Sequence, residues 1–332
     1  MGEIMKVRID DVAELAGVSK TTVSRVLNKR GYLSEKTIKK VHDAMDKLNY
    51  QPNAVARQLF KQETKLVGLI FPTVNNPFFG QLVATMEKKL FNAGFKVLLG
   101  DSMNNPDKEK LYLQELMSHQ VDGLIVGAHN QGIDEYEHTN LPIVAIDRIV
   151  NKDIPVISSD NYQGGKLATE LLIDSGAKVI IHTNGPQNLK SPAQKRRQAY
   201  EDTMRENGMI PIIYTSDFTD IDNGANQKVD FIKQIFKEHP DVDGMFISND
   251  MDAAQVIDIA EDLGYKVPED LKIVGYDGAE ATRILLPKLT TIMQPIDEMA
   301  DIAVNMLIER ITDNSAGYDQ VLPVKVWRGK TV

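Results

Sequence analysis

The 332-residue sequence contains no cysteine, only one tryptophan, and no long hydrophobic run. The absence of cysteine excludes disulfide bonds and thiolate metal sites, and it fits a reducing compartment. No apolar segment reaches the length of a membrane span, and the N-terminus lacks the basic and apolar segments of a secretory signal. We therefore expect a cytoplasmic protein of two or three domains.

Motifs of the common enzyme classes are also missing. The chain has no GxSxG elbow, and the glycines of QGGK at 163–166 fit neither a P-loop nor a GxGxxG motif. Its six histidines are scattered, without HExxH or another metal-binding spacing. The sequence therefore predicts a protein that is not an enzyme and that uses no metal and no cofactor.

Positive charge is scarce overall but concentrated at one end. Residues 1–65 carry 13 Lys and Arg against 8 Asp and Glu, a net charge of +5, whereas the whole chain carries −9 and the remainder therefore −14. A basic head on an acidic body indicates a polyanion-binding module joined to a part that does not bind polyanions. A surface of randomly uneven charge is the alternative.

The stretch IDDVAELAGVSKTTVSRVLN predicts two short helices around a tight turn. Val12, Leu15 and Ala16 share one face of the first helix, and Gly17 ends it. Ser19 is suited to cap the second helix, and a third amphipathic helix follows the stretch GYLS. Three short helices with a glycine-containing turn between the first two are typical of a helix-turn-helix domain.

The second helix begins with polar residues of the kind that read DNA. Lys20, Thr21 and Arg25 can reach base edges in the major groove, and the hydroxyls of Thr22 and Ser24 can reach phosphates. A three-helix bundle with an ordinary solvated face is the alternative interpretation.

The stretch NYQPNAVARQLFKQ that follows is too short to form a stable helix alone in water. It is either a linker or a segment that folds only on DNA, with Leu59 as an apolar wedge in the minor groove.

The stretches DVAELAGVSKTTVSRVLN and LNYQPNAVARQL resemble the lactose-repressor family of bacterial transcription factors, and the similarity extends over nearly the whole chain. The resemblance implies a dimer that reads two half-sites of a palindromic operator, with hinge helices Asn53–Lys61 paired in the minor groove. Lys20, Thr21 and Arg25 are then the expected base readers, and Leu59 is the intercalating residue. The full set of expected DNA-binding residues is Lys20, Thr21, Thr22, Ser24, Arg25, Asn28, Tyr32, Asn53, Ala56 and Leu59.

The partners implied by this resemblance are double-stranded operator DNA, a small sugar effector and a second copy of the chain. A phosphocarrier-protein corepressor is compatible with it as well. The protein would be cytoplasmic, and associated with the nucleoid when bound to DNA.

From residue 66 onward, short apolar strands alternate with amphipathic helices, which is typical of doubly wound parallel sheets. The predicted strands are Leu66–Phe71, Lys96–Gly100, Gly123–Val126, Ile143–Ile146, Val179–Ile181, Gly244–Ile247, Lys272–Gly275 and Thr290–Ile292.

The predicted fold class is α/β, with an all-α helix-turn-helix headpiece and a core that resembles the two-lobed, periplasmic ribose-binding type of sugar receptor. The predicted boundaries are 1–50 for the headpiece, 51–65 for the hinge and linker, and 66–332 for the core. Lobe one would take about 66–160 and 295–321, and lobe two about 161–293 and 322–332.

Ligands of such sheets bind at the carboxyl ends of the strands, and those positions are rich in polar and aromatic residues. Carboxylates and amides bind paired hydroxyls, arginine donates to ring oxygens, and aromatic rings stack on the faces of a sugar. The stretches NNPFF, AIDR, ISND, GYDG and TIMQP are similar to the ligand-contacting segments of the ribose-binding receptors. The expected effector-binding residues are Asn76, Phe78, Phe79, Asp147, Arg148, Arg196, Phe218, Asn249, Asp277 and Gln294, with Arg197 as the alternative to Arg196.

Each of these residues also has a structural interpretation. Asp160 and Asp250 are as well suited to capping a helix as to binding a ligand, and Phe78 and Phe79 could belong to the core. For the whole protein, a purine-responsive repressor and a sugar receptor without DNA function are the alternatives to a sugar-responsive repressor. Between sugars, the cleft favours ribose, whereas the whole chain resembles repressors of sucrose operons, whose effector would be fructose or a related sugar.

Overall fold

In a computed structural model of the chain, the N-terminal 64 residues and the following 268 form two compact units. The structure describes residues 7–28, 30–51, 63–118, 120–128, 130, 132–136, 140–185, 194–215, 224–313 and 315–332.

The described residues of the N-terminal unit form a bundle of three helices. They are α1 (Ile9–Ala16), α2 (Lys20–Leu27) and α3 (Glu35–Lys47). Gly17 ends α1 in the left-handed conformation, with φ of 65°, which glycine adopts at little cost. The Ser19 hydroxyl caps α2 by accepting from the backbone N–H of Thr22 at 3.1 Å, as the sequence predicts.

The core of this unit forms where the three helices meet. Val12, Val23 and Val41 are fully buried, and Ala13 and Ala16 complete the buried stripe of α1. Leu15 was expected on this stripe, but its side chain is 49% exposed. The helical period centres the buried stripe between Val12 and Ala13, so Leu15 lies outside it.

The second unit contains the alternating strands and helices that the sequence predicts. Its strands are β1 (Leu66–Phe71), β2 (Lys96–Asp101), β3 (Gly123–Val126), β4 (Ile143–Ile146), β5 (Val156–Ser159), β6 (Ile180–Asn184), β7 (Ile212–Thr215), β8 (Gly244–Phe246), β9 (Lys272–Asp277), β10 (Thr290–Met293), β11 (Gln320–Leu322) and β12 (Lys325–Trp327). Its helices are α4 (Pro77–Asn92), α5 (Pro106–Ser118), α6 (Asn161–Asp174), α7 (Gln194–Glu206), α8 (Gly224–Glu238), α9 (Asp250–Asp262), α10 (Glu280–Leu285) and α11 (Ile296–Asp313). A 3-10 turn, Asp134–Tyr136, precedes β4.

The strands form two six-stranded sheets. Sheet one has the order β11-β5-β4-β3-β1-β2 and is entirely parallel. Sheet two has the order β12-β10-β9-β8-β6-β7 and is parallel except for the antiparallel pair of β10 and β12. This confirms the predicted α/β class with two doubly wound sheets. The chain passes between the sheets three times, after β5, after β10 and after β11.

Helix α11 returns to sheet one, because it packs against α4. The carboxylate of Asp297 accepts hydrogen bonds from Gln81 at 3.2 Å and from Thr85 at 3.1 Å, and Lys89 pairs with Asp301 at 2.5 Å. Beneath these contacts the two helices share one hydrophobic cluster with the strands of sheet one.

Helix α4 begins four residues earlier than the sequence predicts. We expected it to start at Gln81, but it starts at Pro77, because proline is preorganised for the first helical position. The side chain of Asn76 caps it by accepting from the backbone N–H of Phe78 at 2.8 Å. Phe78 and Phe79 therefore belong to the first turn of the helix, not to a loop.

Candidate functional site

The first candidate site is the polar face of α2 in the N-terminal unit. Val23 and Val26 are buried on one side of this short helix, which turns Lys20, Thr21 and Arg25 to solvent. Three side chains with hydrogen-bonding groups are thus presented from one rigid helix, the arrangement that major-groove readout of base edges requires.

The neighbouring polar residues Thr22 and Asn28 form hydrogen bonds within this part of the chain. The hydroxyl of Thr22 lies 2.9 Å from that of Ser19, and the amide of Asn28 donates to the carbonyl of Ser24 at 2.9 Å, so both groups help to hold α2. Tyr32 is 94% exposed and free of the helical core.

Four of the expected site residues cannot be placed. Asn53, Ala56 and Leu59 of the expected hinge and Phe218 of the expected cleft lie outside the described residues.

The second candidate site lies in the second unit, where both sheets contribute polar residues from the carboxyl ends of their strands. Asp147 follows β4 of sheet one, Asp277 ends β9 of sheet two, and Gln294 follows β10. Hydrogen bonds connect the two sheets here: Ser159, at the end of β5, donates to Gln294 at 2.6 Å, and Gln294 donates to Asp277 at 2.8 Å.

Arg196 joins this group from the first turn of α7. Its Nε donates to the Asn161 side chain at 2.6 Å, and Asn161 in turn donates to Asp147 at 3.3 Å. The guanidinium lies over the ring of Tyr276, 3.6 Å from the centroid. Of the two arginines that the sequence leaves open, Arg197 instead pairs with Glu201 at 2.8 Å on its own helix.

The two aspartates of this cleft are buried. Asp147 is 7% and Asp277 is 8% exposed, and neither forms an ion pair within the part of the chain that the structure describes. Burial raises the pKa of Asp147 to about 6 and that of Asp277 to about 8, although the Arg196 guanidinium opposes both effects. Such groups are costly for folding and are typical of functional sites.

Their backbone conformations support the same conclusion. Asp147 has φ of 48° and Asp277 has φ of 107°, both in the left-handed region that non-glycine residues rarely occupy. Strain at two facing strand ends, together with buried carboxylates, is characteristic of a ligand-binding cleft. Each carboxylate accepts one amide hydrogen bond and has capacity for further donors, such as hydroxyl groups.

Four expected effector residues lie at the starts of helices α4 and α9, and three of them have structural roles. Phe78 is only 5% exposed and packs in the hydrophobic cluster of sheet one, so the core interpretation holds for it. Phe79 is only partly buried and meets Phe78 edge to face, with ring centroids 5.0 Å apart. Asn76 caps α4, as described above. Asn249 caps α9, accepting from the backbone N–H of Asp252 at 2.9 Å.

Asp160 and Asp250, which the sequence suits equally to capping a helix and to binding a ligand, differ in the structure. Asp160 caps α6, accepting from Gln163 at 3.0 Å. Asp250 is buried instead, and its carboxylate accepts from Thr291 at 2.6 Å and from the backbone N–H of Gly278 at 2.8 Å. Its charge raises the pKa of the adjacent Asp277.

Arg148 does not join the cluster around Asp277. Its guanidinium pairs with the fully buried Glu109 and donates to the backbone carbonyl of Asn130 at 2.7 Å. The expected role of Arg148 in effector binding therefore stays a prediction, and its charge already has a partner.

Sequence reasoning did not identify three residues that the structure adds to the cleft: Ser159, Asn161 and Tyr276. Each lies at or just after the carboxyl end of a strand. Tyr276 could have been identified by this position, because it directly precedes Asp277. Ser159 and Asn161 could not, because strand β5, at whose end they lie, was not predicted.

The buried aspartates make the stability of the free protein dependent on pH. An aspartate in the unfolded chain has a pKa of about 3.9, so between pH 4 and 8 the folded protein holds a proton on Asp277 that the unfolded chain releases. The free energy of unfolding therefore falls as pH rises through this window. We expect Asp277→Asn to raise the melting temperature at pH 8 by about 2–6 °C and to do so less at pH 5.

Thermal unfolding of both proteins between pH 5 and 9 measures this difference. Asp241→Asn, the same change at an exposed aspartate, is the control and should leave the pH profile unaltered. Parallel profiles for Asp277→Asn and the wild-type protein would show that Asp277 is not a buried, protonated group.

Two family models match the chain. Residues 8–53 match the bacterial regulatory proteins of the lacI family, and residues 64–325 match the periplasmic binding proteins and sugar-binding domain of the LacI family. The chain is 44% identical over 329 residues to a sucrose operon repressor of Pediococcus pentosaceus, covering 98% of this chain and all of the relative. It is 39% identical over 303 residues to a ribose operon repressor of Halalkalibacterium halodurans, covering 91% and 90% of the two chains.

The fold is likewise similar to a solved structure. The Lac repressor dimer bound to operator and the anti-inducer ONPF is 29% identical and superimposes with a TM-score of 0.84, covering 98% of each chain. No helix among the described residues is both long and apolar enough to cross a membrane.

Proposed function

The chain belongs to the LacI family of bacterial regulatory proteins, and on that premise we propose which operon it controls and which sugar it senses. It is a sugar-responsive repressor, as its sucrose-operon and ribose-operon relatives indicate. The operon is one for sucrose utilisation, and the effector that releases the protein from its operator is fructose or a related small sugar. Ribose is the second candidate, because a ribose operon repressor is 39% identical.

The observation that carries this proposal is the pair of buried carboxylates in the cleft between the sheets. A carboxylate accepts hydrogen bonds from two hydroxyls at once, so Asp147 can take a hydroxyl pair of the sugar. The buried carboxyl group of Asp277 can accept from one hydroxyl and, while it holds its proton, donate to another. Arg196, fixed over the Tyr276 ring, supplies a donor between them. Phe79 is the partly buried aromatic residue suited to stack on the sugar.

The charge of the cleft favours an uncharged sugar over a sugar phosphate. Three buried acidic residues, Asp147, Asp250 and Asp277, lie near the Arg196 guanidinium here. A phosphate group would add negative charge to a buried site that is already short of positive charge. A purine offers few hydroxyl donors to two carboxylates, which is why we place it behind a sugar.

The effector-binding residues proposed here are Asn76, Phe79, Asp147, Arg196, Asn249, Asp277 and Gln294, together with Phe218. Arg148 is not among them, because its guanidinium pairs with the buried Glu109, and Phe78 supports the site from the core. Asn161, Ser159 and Tyr276 hold these residues in place through the contacts described above.

For DNA we propose that Lys20, Thr21 and Arg25 read base edges, while Thr22, Ser24, Asn28 and Tyr32 contact the backbone. Of the hinge residues, Asn53 also contacts the DNA backbone, whereas Ala56 and Leu59 belong to the segment that enters the minor groove, with Leu59 as the intercalating residue. Lys20 is paired with Asp10 at 3.0 Å, but both side chains are about 60% exposed, and an exposed pair of this kind contributes little. Lys20 can therefore exchange Asp10 for DNA at small cost.

The protein acts as a cytoplasmic homodimer, by analogy with the Lac repressor dimer on its operator. Two headpieces then read the half-sites of a palindrome. The proposed activity requires no cofactor and no catalysis. If the isolated protein binds operator, no phosphocarrier-protein corepressor is required.

A panel of ligands tests the sugar assignment directly. We expect fructose or ribose to raise the melting temperature of the purified protein, since a ligand that binds only the folded state stabilises it. Sucrose, glucose, the corresponding sugar phosphates and hypoxanthine complete the panel. A shift with hypoxanthine alone would contradict the sugar assignment, and a shift with the phosphates alone would contradict the charge argument.

A further inference from the structure

Three buried residues surround the side chain of Arg148 beyond the carboxyl ends of the strands of sheet one. The guanidinium pairs with Glu109, donates to the backbone carbonyl of Asn130 at 2.7 Å, and lies 4.8 Å from the ring centroid of Tyr136. Glu109 also accepts from the Tyr136 hydroxyl at 2.7 Å and from the Asn130 amide at 2.8 Å. Every member of this network is less than 9% exposed, and both oxygens of the Glu109 carboxylate accept hydrogen bonds.

The network joins separate segments that meet at the carboxyl edge of the sheet. Glu109 lies in the first turn of α5, Asn130 follows β3, Tyr136 ends the 3-10 turn, and Arg148 comes two residues after the end of β4. The residue between β4 and Arg148 is Asp147, which is held in a left-handed conformation with φ of 48°. The contacts of Arg148 therefore fix the chain directly after Asp147.

The partners of Arg148 make it poorly suited to bind a ligand as well. Glu109 is completely buried, so if the guanidinium moved away to a sugar, the carboxylate would be left as an uncompensated buried charge. Breaking a buried pair in this way is strongly unfavourable.

We propose that Arg148 and Glu109 are positioning residues, which hold the Asp147 carboxylate where it meets the sugar, and that Arg148 itself does not contact the sugar. The inference rests on the proposed function, because it assigns a task to residues behind the same cleft. The Glu109–Arg148 ion pair would thus hold the Asp147 side chain in one orientation.

Substitution of Glu109 separates this role from direct sugar binding. Glu109→Gln keeps the guanidinium of Arg148 and releases it from its ion pair. If Arg148 contacted the sugar, the Glu109→Gln variant would bind sugar as tightly as the wild-type protein or more tightly. If Arg148 and Glu109 are positioning residues, the variant should bind sugar about tenfold more weakly. The measurement is calorimetric titration of the full-length protein with D-fructose and with D-ribose.

Glu135→Gln is the matched control, since Glu135 is a neighbouring glutamate that forms a more exposed ion pair with Lys110 at 2.8 Å. It should leave sugar affinity unchanged. Should Glu109→Gln fail to fold, Tyr136→Phe removes one hydrogen bond to Glu109 and retains the ring, and it should weaken sugar binding in the same direction by a smaller factor.

A double variant distinguishes a positioning role of Glu109 from a general loss of stability. If Glu109 acts through Asp147, the variant Glu109→Gln/Asp147→Asn should bind sugar no more weakly than Asp147→Asn alone. Additive losses, or unchanged affinity in both Glu109→Gln and Tyr136→Phe, would overturn the positioning role while leaving the proposed function intact. A wild-type protein that binds neither sugar would overturn both.

Discussion

Replacing Arg25 with alanine is expected to lower the operator affinity of the protein by about a thousandfold, to the level of non-specific DNA. A bidentate contact between arginine and guanine is worth about 1–3 kcal/mol of discrimination, and a dimer loses it in both half-sites. The substitution should not disturb folding, because Arg25 is exposed on α2 and contributes nothing to the valine core of the headpiece.

Two features make Arg25 the most sensitive residue of this helix. Its guanidinium lies against Gly31, where an added Cβ would come within 2.4 Å of a guanidinium nitrogen, so the glycine gives the side chain room beside the turn. Its Nε faces the carbonyl of Arg30 at 3.4 Å. The side chain is thus partly oriented before DNA is bound.

The measurement is fluorescence anisotropy with a duplex that the wild-type protein selects from a random-sequence pool. Lys47→Ala, which removes one exposed positive charge from α3, is the control for the loss of charge and should weaken binding only slightly. Sugar affinity should be unchanged in both variants. Retention of operator binding by Arg25→Ala would show that α2 is not the recognition helix.

Replacing Asp147 with asparagine is expected to have the opposite effect, a repressor that binds its operator and no longer responds to sugar. Hydrogen bonds to a charged group are worth about 1.5–3 kcal/mol, so sugar affinity should fall about 10- to 100-fold. Asparagine is a better choice than alanine, because it tolerates the left-handed conformation of this position. Operator affinity without sugar should equal that of the wild-type protein.

Asp153→Asn is the matched control for this variant. Asp153 is an exposed aspartate in the loop that follows β4, and its substitution should alter neither sugar binding nor operator release. Wild-type sugar affinity in Asp147→Asn would remove Asp147 from the site and with it the main argument for a polyhydroxylated ligand.

The strands that could be predicted from sequence are those whose apolar run is bounded by polar residues. The bounds of β1, β3 and β4 agree with prediction, because LVGLIF, GLIV and IVAI are continuous apolar segments of buried parallel strands. Strands β11 and β12 have three residues each, and they exist because they pair with distant strands at sheet edges. Such pairing leaves no periodic signal in the chain itself.

The same limit applies to the candidate site. Reading the residues that follow each strand leads to Asp147, Arg196, Asp277 and Gln294, which the structure brings into one hydrogen-bonded group with Asn161. It does not reveal that the partner of Arg148 lies 39 residues earlier in the chain. Nor does it reveal that Phe78 turns into the core, since this depends on where α4 begins.

The two proposed binding sites, for DNA and for sugar, belong to one chain. A sugar can release the operator only to the extent that it binds one conformation of the core more tightly than another. Because DNA contacts are largely to phosphates, both sites must be measured at the same salt concentration.

The most direct test is to titrate D-fructose and D-ribose into the complex of the wild-type protein with its selected operator at constant ionic strength. We expect one of the two sugars to weaken operator affinity by at least about tenfold, within the usual range of coupling between sites, and to have no effect on the Asp147→Asn complex at the same concentration. Operator affinity that is unchanged, or strengthened, by both sugars would contradict the account.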